Sequence, residues 1–190
     1  QKAKKDFPLA QVSKNTNDIL KIKNLSLVIV ASPTKPHFKI TKFALENKKN
    51  VLVEKPLSTS LKEVKILENL AKKNNVSLFV DYPFLFSGSV RFLKKIIQNK
   101  KYGNLIEIES FREKAPIRSD CNVVWDLAVH DISILYYLLN RSPQKFTTLK
   151  IKNINKSIAD TAYLNLFYGN KLNVFLKNTW IAPEKIRLIK

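Results

Sequence analysis

The chain has no methionine, one cysteine and three glycines among its 190 residues. Each shortage excludes something. A lone thiol, Cys121, cannot close an internal disulfide or build a multi-cysteine zinc site, which fits a reducing compartment. No uninterrupted apolar run approaches the roughly 20 residues of a bilayer-crossing helix, and no charged-then-apolar leader stands at the start. The expectation is a soluble, cytoplasmic protein with no membrane partner. With no methionine, Gln1 has no visible initiator, so a partial chain is expected.

Acidic residues are also scarce, 15 against 34 Lys and Arg, for a net charge of +19. Clustered cations of that number would suit nucleic acid, because they displace counterions from phosphates. The excess is overwhelmingly lysine, however, in scattered pairs such as Lys48-Lys49, Lys72-Lys73 and Lys94-Lys95 at predicted helix ends and turns. That placement suits helix dipoles and solvated faces, so no nucleic-acid partner is expected.

What is present is 45% hydrophobic residues, enough for a real core in a chain of this length. Residues 25–30, "LSLVIV", predict a strand buried on both faces. A helix is predicted from His37 to Asn47 and a second strand in "NVLVE". Ser60 and Glu63 have capping-box spacing at the head of a further helix, and "VSLFVD" (76–81) predicts a third strand. Strand, helix, strand, helix, strand at this spacing means a parallel sheet. After Asp81 the pattern changes. A helix is predicted over 89–99, a one-sided strand in "LIEIESFRE", a helix over 124–139, and strands over 145–154, 161–168 and 171–179. Gly169-Asn170 marks a tight hairpin between the last two. The fold expected is an α/β Rossmann-like parallel sheet, incomplete at its start (1–82), followed by an α+β domain with an open antiparallel sheet (83–190), truncated at its C-terminal end.

Two places carry chemistry. The strand 50–54 ends abruptly in Glu54, Lys55 and Pro56. Charges followed by proline are an ordinary way to leave a sheet, but the carboxyl edge of a parallel sheet is also where open α/β folds bind cofactors. In "NVVWDLAVHDISILYYLL" (122–139), Asp126 and His130 stand at i, i+4 and would share one face of a helix. An imidazole beside a carboxylate suits a general acid/base, and a lysine alongside would favour its proton-accepting form. A histidine merely hydrogen-bonded in an apolar helix is the competing reading. No third ligand stands at metal-binding spacing, so no metal site is expected.

"ASPTKPHFKITKFALENKKNVLVEKPLS" followed by "WDLAVHDISILYYLL" resembles the glucose-fructose oxidoreductase and inositol dehydrogenase family (Gfo/Idh/MocA). The resemblance runs from about Ile19 to the end of the chain. It implies NAD- or NADP-dependent hydride transfer at a hydroxyl-bearing sugar or polyol carbon. Lys55 resembles the family lysine that binds the reacting hydroxyl, His130 the residue that moves its proton, and Asp126 the accompanying carboxylate. Glu54, Lys55 and the loop Ala31, Ser32, Pro33 and Thr34 resemble segments that line the dinucleotide. His37 matches a recurring family histidine, with a cofactor contact and a loop role both open.

Similarity to members acting on nucleotide-activated sugars makes Tyr82, Arg112, Arg118, Asn122 and Trp125 candidates for the substrate pocket. Core packing is the alternative for Trp125. By the same analogy the complete protein would be a homo-oligomer. A non-catalytic sugar-binding or oligomerisation relative remains the alternative function.

The match is incomplete. A Gly-x-Gly-x-x-Gly turn cradles pyrophosphate in dinucleotide-binding Rossmann domains. The glycines here, Gly88, Gly103 and Gly169, form no such pattern. These residues alone are therefore expected to bind NAD(P) poorly and to be inactive as a fragment.

Overall fold

In the computed structural model of the chain, residues 2–99, 102–152, 158–169 and 171–190 are described. The chain divides into two units, 1–80 and 81–190.

The first unit opens with two short helices, α1 (Lys2–Asp6) and α2 (Thr16–Leu20); the side chain of Asn15 caps α2 by accepting from Asn17 N–H. Then β1 (Leu27–Val30), α3 (His37–Glu46), β2 (Asn50–Glu54), α4 (Leu61–Asn74) and β3 (Leu78–Asp81) alternate as the sequence predicts. The strands lie in the order β1-β2-β3, and β1 runs parallel to β2 with Val30 opposite Val53. Val30, Val51 and Val53 bury against Ala44 and Leu45 of α3 and Leu67 and Ala71 of α4. The helices therefore use the apolar stripes at their 3.6-residue period. Asn75 closes α4 in the left-handed region, φ 52°, a conformation asparagine tolerates better than most residues.

Two local expectations are corrected. β1 is not buried on both faces. Leu27 is 45% and Ile29 64% exposed, because no helix among the described residues covers the face they occupy. The Ser60 and Glu63 capping box is not formed either: Ser60 makes no side-chain cap, and Glu63 instead accepts from the Ser58 hydroxyl. Ser58 Oγ also accepts from Ser60 N–H at 3.0 Å, so the local anchor sits two residues earlier.

The second unit starts with a 3₁₀ turn (Pro83–Phe86) and α5 (Gly88–Asn99). β4 (Glu107–Glu113) follows, then a π-helical turn (Val124–Ala128) that runs into α6 (Val129–Leu139). β5 (Lys145–Lys152), β6 (Thr161–Phe167), β7 (Asn173–Thr179) and β8 (Ile186–Ile189) complete it. The predicted hairpin strands are antiparallel, β5 to β6 and β6 to β7. β4 inserts beside β7 in parallel and pairs antiparallel with β8, giving a mixed sheet in the order β5-β6-β7-β4-β8. β8 has no counterpart in the sequence reading; its four residues are too few for alternation to stand out. Of the predicted tight turn, Gly169 has φ 82°, which suits glycine, while Asn170 lies outside the described residues, as do positions 153–154 of the predicted strand. One face of the sheet buries Ile108, Leu164, Leu166, Val174 and Leu176 with Ala128 and Leu135 of the helical segment.

No helix among the described residues is long and apolar enough to cross a membrane. None of their His, Cys, Asp and Glu side chains form a group of three or more that could hold a metal ion.

Candidate active site

At the carboxyl edge of the parallel sheet, the loop after β1 and the loop after β2 are held together by one side chain. His37, the first residue of α3, is 1% exposed. Its Nδ1 stands 2.8 Å from the Pro56 carbonyl oxygen and its Nε2 2.8 Å from that of Ser32. The backbone N–H of His37 also donates to the Thr34 carbonyl at 3.1 Å. With both ring nitrogens committed to backbone carbonyls, His37 ties the loops together. Of the two roles left open for His37, the loop role is the one this buried ring fills, since both of its polar atoms turn toward backbone carbonyls.

That tie fixes the strand tips. Ala31 and Pro33 are exposed, Ser32 is half-buried and Thr34 is buried, while Glu54 and Lys55 at the end of β2 are half-buried. The Lys55–Pro56 peptide is cis. Charges and backbone presented at the carboxyl edge of a parallel sheet are what a dinucleotide meets in an open α/β fold, so these residues fit NAD or NADP at that edge. Among the described residues there is no glycine-built pyrophosphate cradle. All three glycines lie in the second unit, and at Gly88 and Gly103 an added Cβ would meet nothing, so no close backbone approach needs them.

The second constellation is built on the π turn and α6. The wide turn over 124–128 changes the winding between Asp126 and His130, so the uniform i, i+4 face expected of an α-helix is not what places them. Asp126 is buried and accepts from Trp180 Nε1 at 2.9 Å, with Arg118 at 3.5 Å from its other oxygen. Arg118 is half-buried and is itself held by Asp120, donating from Nε at 2.9 Å and from its terminal nitrogen at 2.7 Å. The Asp120 hydrogen bond raises the Arg118 pKa above its ordinary value, against the opposing effect of burial. Arg118 is thus a fixed positive charge beside Asp126. His130 is buried, with the Phe84 ring edge-to-face against it at 4.9 Å between centroids.

The remaining predicted substrate residues divide. Asn122 Oδ1 accepts from Trp125 N–H at 3.1 Å and steadies the start of the π turn. Trp125 is 37% exposed, so the core-packing alternative does not hold for it. Tyr82 is half-buried, and burial raises its hydroxyl above the ordinary value of 10.0.

Arg112 is corrected. It is buried, and its Nε and a terminal nitrogen both donate to Asp131 Oδ1, at 3.0 and 2.9 Å. Nε and that terminal nitrogen are thus engaged inside the protein, because a buried guanidinium needs a buried counter-charge. Arg187, opposite Arg112 across the β4–β8 pairing, is pulled below its ordinary pKa by burial and then by the Arg112 charge.

Phe84, Asp131 and Trp180 were not singled out from the sequence. Asp131 follows His130 directly and carried a signal: a second acid in an otherwise apolar helix needs a buried partner. Phe84 and Trp180 carried none, since an aromatic in an apolar segment reads as packing.

Residues 1–82 match the family model described as oxidoreductase family, NAD-binding Rossmann fold. Over these residues the chain belongs to the Gfo/Idh/MocA oxidoreductase family.

It is similar to an uncharacterized oxidoreductase of Schizosaccharomyces pombe, 32% identical over 139 residues, covering 68% of this chain and 38% of that protein. Myo-inositol 2-dehydrogenase of Thermotoga maritima is 26% identical over 75% of this chain and 44% of its own length. The solved structure of an inositol dehydrogenase homolog from Azotobacter vinelandii, complexed with NADH and myo-inositol, superposes with a TM-score of 0.81. That match has 20% identity and covers 90% of this chain and 49% of that one, so it bears on fold. The chain spans 38%, 52% and 47% of three of the curated relatives it matches.

Proposed function

We propose that the complete protein is an NAD- or NADP-dependent dehydrogenase acting on a hydroxyl-bearing carbon of a sugar or polyol, nucleotide-activated sugars included. The observation that carries this reading is the Asp126–His130 pair. The carboxylate is held by Trp180 and Arg118, and an imidazole follows it on the same helical segment, in a chain of an NAD-binding family. Similarity to myo-inositol 2-dehydrogenase supports a polyol or sugar as the substrate class.

In this reading Lys55 binds the reacting hydroxyl through its ammonium group. His130 takes the hydroxyl proton as the carbonyl forms, and returns it in the reverse direction. Asp126, fixed on both oxygens, orients the site and its charge favours the protonated imidazole that results. Glu54 and the 31–34 loop line the dinucleotide, with His37 holding the two loops in register. NAD or NADP, when bound, accepts the hydride, and the protein supplies position and charge. Tyr82, Arg118, Asn122 and Trp125 are the proposed substrate contacts. A cytoplasmic homo-oligomer completes the proposal, the single cysteine fitting a reducing compartment.

The test is nicotinamide reduction by the complete protein over a panel of polyols, sugars and nucleotide-activated sugars with each dinucleotide. Turnover that falls by orders of magnitude in Lys55→Ala supports the proposal. Sugar binding without turnover, unchanged by Lys55→Ala and His130→Ala, would favour the non-catalytic alternative.

A further inference from the structure

An acid/base imidazole works only when its reacting nitrogen is held on the path of the proton, and small misplacements are expensive. His130 sits one residue past the start of α6, directly after a π turn, where the helix by itself fixes the ring least. The ring is met by Phe84 at 4.9 Å between centroids and 82° between planes, an edge-to-face contact. Phe84 in turn lies under the Arg112 guanidinium, whose carbon is 4.4 Å from the ring centroid.

Arg112 cannot drift. Its Nε and a terminal nitrogen donate to Asp131 Oδ1, and Asp131 also accepts from Ser110 Oγ at 3.0 Å and from Asn178 Nδ2 at 2.6 Å. Ser110 and Arg112 are two apart on β4, and Asn178 is the register partner of Arg112 on β7, so all three project from one face of the sheet. The contacts close on themselves: His130 against Phe84, Phe84 under Arg112, Arg112 on Asp131, and Asp131 next to His130 in the chain. A buried ion pair is a poor source of net stability compared with apolar packing. Its presence one residue from the imidazole therefore calls for a positional reason.

We infer that Phe84, clamped by the Arg112–Asp131 pair, is a positioning residue that sets the orientation of the His130 ring. The inference rests on the acid/base reading of His130. It turns the buried pair from a structural feature into the anchor of the site, and gives the 3₁₀ turn a role beyond linking β3 to α5.

The experiment uses the complete protein and the variants Phe84→Leu, which removes the ring but keeps apolar bulk, and Phe84→Tyr, which keeps the ring. Two quantities are read: steady-state kinetics and the imidazole Cε1–H resonance of His130, assigned by its loss in His130→Gln. Phe84→Leu is expected to shift that resonance and to lower kcat by about tenfold to a hundredfold with KM within about threefold. Phe84→Tyr is expected to leave kcat within about threefold. An unmoved His130 resonance in Phe84→Leu overturns the inference, as does an equal loss of kcat in both variants. If His130→Gln turns over at the wild-type rate, the acid/base reading fails separately, while the resonance still decides whether Phe84 sets the ring.

Discussion

Trp180 and Asp126, 54 positions apart in the chain, meet through one hydrogen bond: the indole Nε1–H donates to Asp126 Oδ2 at 2.9 Å. Both are buried, and Trp180 packs with Val123, Leu127 and Ala162. The bond fastens the π turn to the end of the sheet, so the carboxylate's position depends on the residue just past β7. Trp180→Phe keeps the packing and removes the donor. It is expected to cost about 1 to 3 kcal/mol of stability, because a buried carboxylate loses a partner, and to lower kcat in the complete protein. Urea unfolding and steady-state kinetics read the two effects.

Asp131→Ala leaves the Arg112 guanidinium buried without its counter-charge. A destabilisation of about 3 to 5 kcal/mol is expected. Replacing both together, Arg112→Met with Asp131→Leu, is expected to recover much of that loss while failing to recover turnover. Denaturant midpoints for the single and double variants check the first half, and kcat checks the second.

His37→Ala removes the tie between the Ser32 and Pro56 carbonyls. Weaker dinucleotide binding is expected in the complete protein, with faster amide exchange in the 31–34 loop and after Pro56. His37→Asn can keep one of the two bonds and is expected to lie between. Fluorescence titration with NADH and hydrogen exchange measure these outcomes.

Burial raises the hydroxyl pKa of Tyr82 above 10.0, and burial does the same to Tyr168 against a smaller lowering by Arg141. A raised folded-state pKa means the folded form holds its proton longer than the unfolded form does. The stabilisation is fully present below the unfolded value near 10.0 and is lost as pH rises through the folded pKa. Stability is therefore expected to fall on the alkaline side of 10.0, and to fall less in Tyr82→Phe. Tyrosinate absorbance followed alongside unfolding tests the sign.

Much of the fold was legible because its signals are local. The strand at 50–54, the helical period over 61–74 and the hairpin strands each declare themselves within a few residues. β8 and the parallel β4–β7 pairing did not, since both depend on which distant strand comes alongside. Asp126 and His130 stood out by their i, i+4 spacing and Lys55 by the abrupt end of its strand, while a resemblance to known motifs supplied the roles proposed for them. Arg112 was misread as a substrate contact because a lone arginine on a one-sided strand gives no hint that a buried acid 19 positions later will claim it. His37 was visible as a residue but not as a tie between loops, since its acceptors are backbone carbonyls that carry no signature in the sequence.

In the proposed reaction His130 moves the proton of the reacting hydroxyl. That role is tested most directly by kcat for nicotinamide reduction by the complete protein, with a substrate the wild type turns over, in His130→Ala against wild type. A fall of about a hundredfold to ten thousandfold is expected, with the dinucleotide affinity unchanged. A kcat within about threefold of wild type would contradict it.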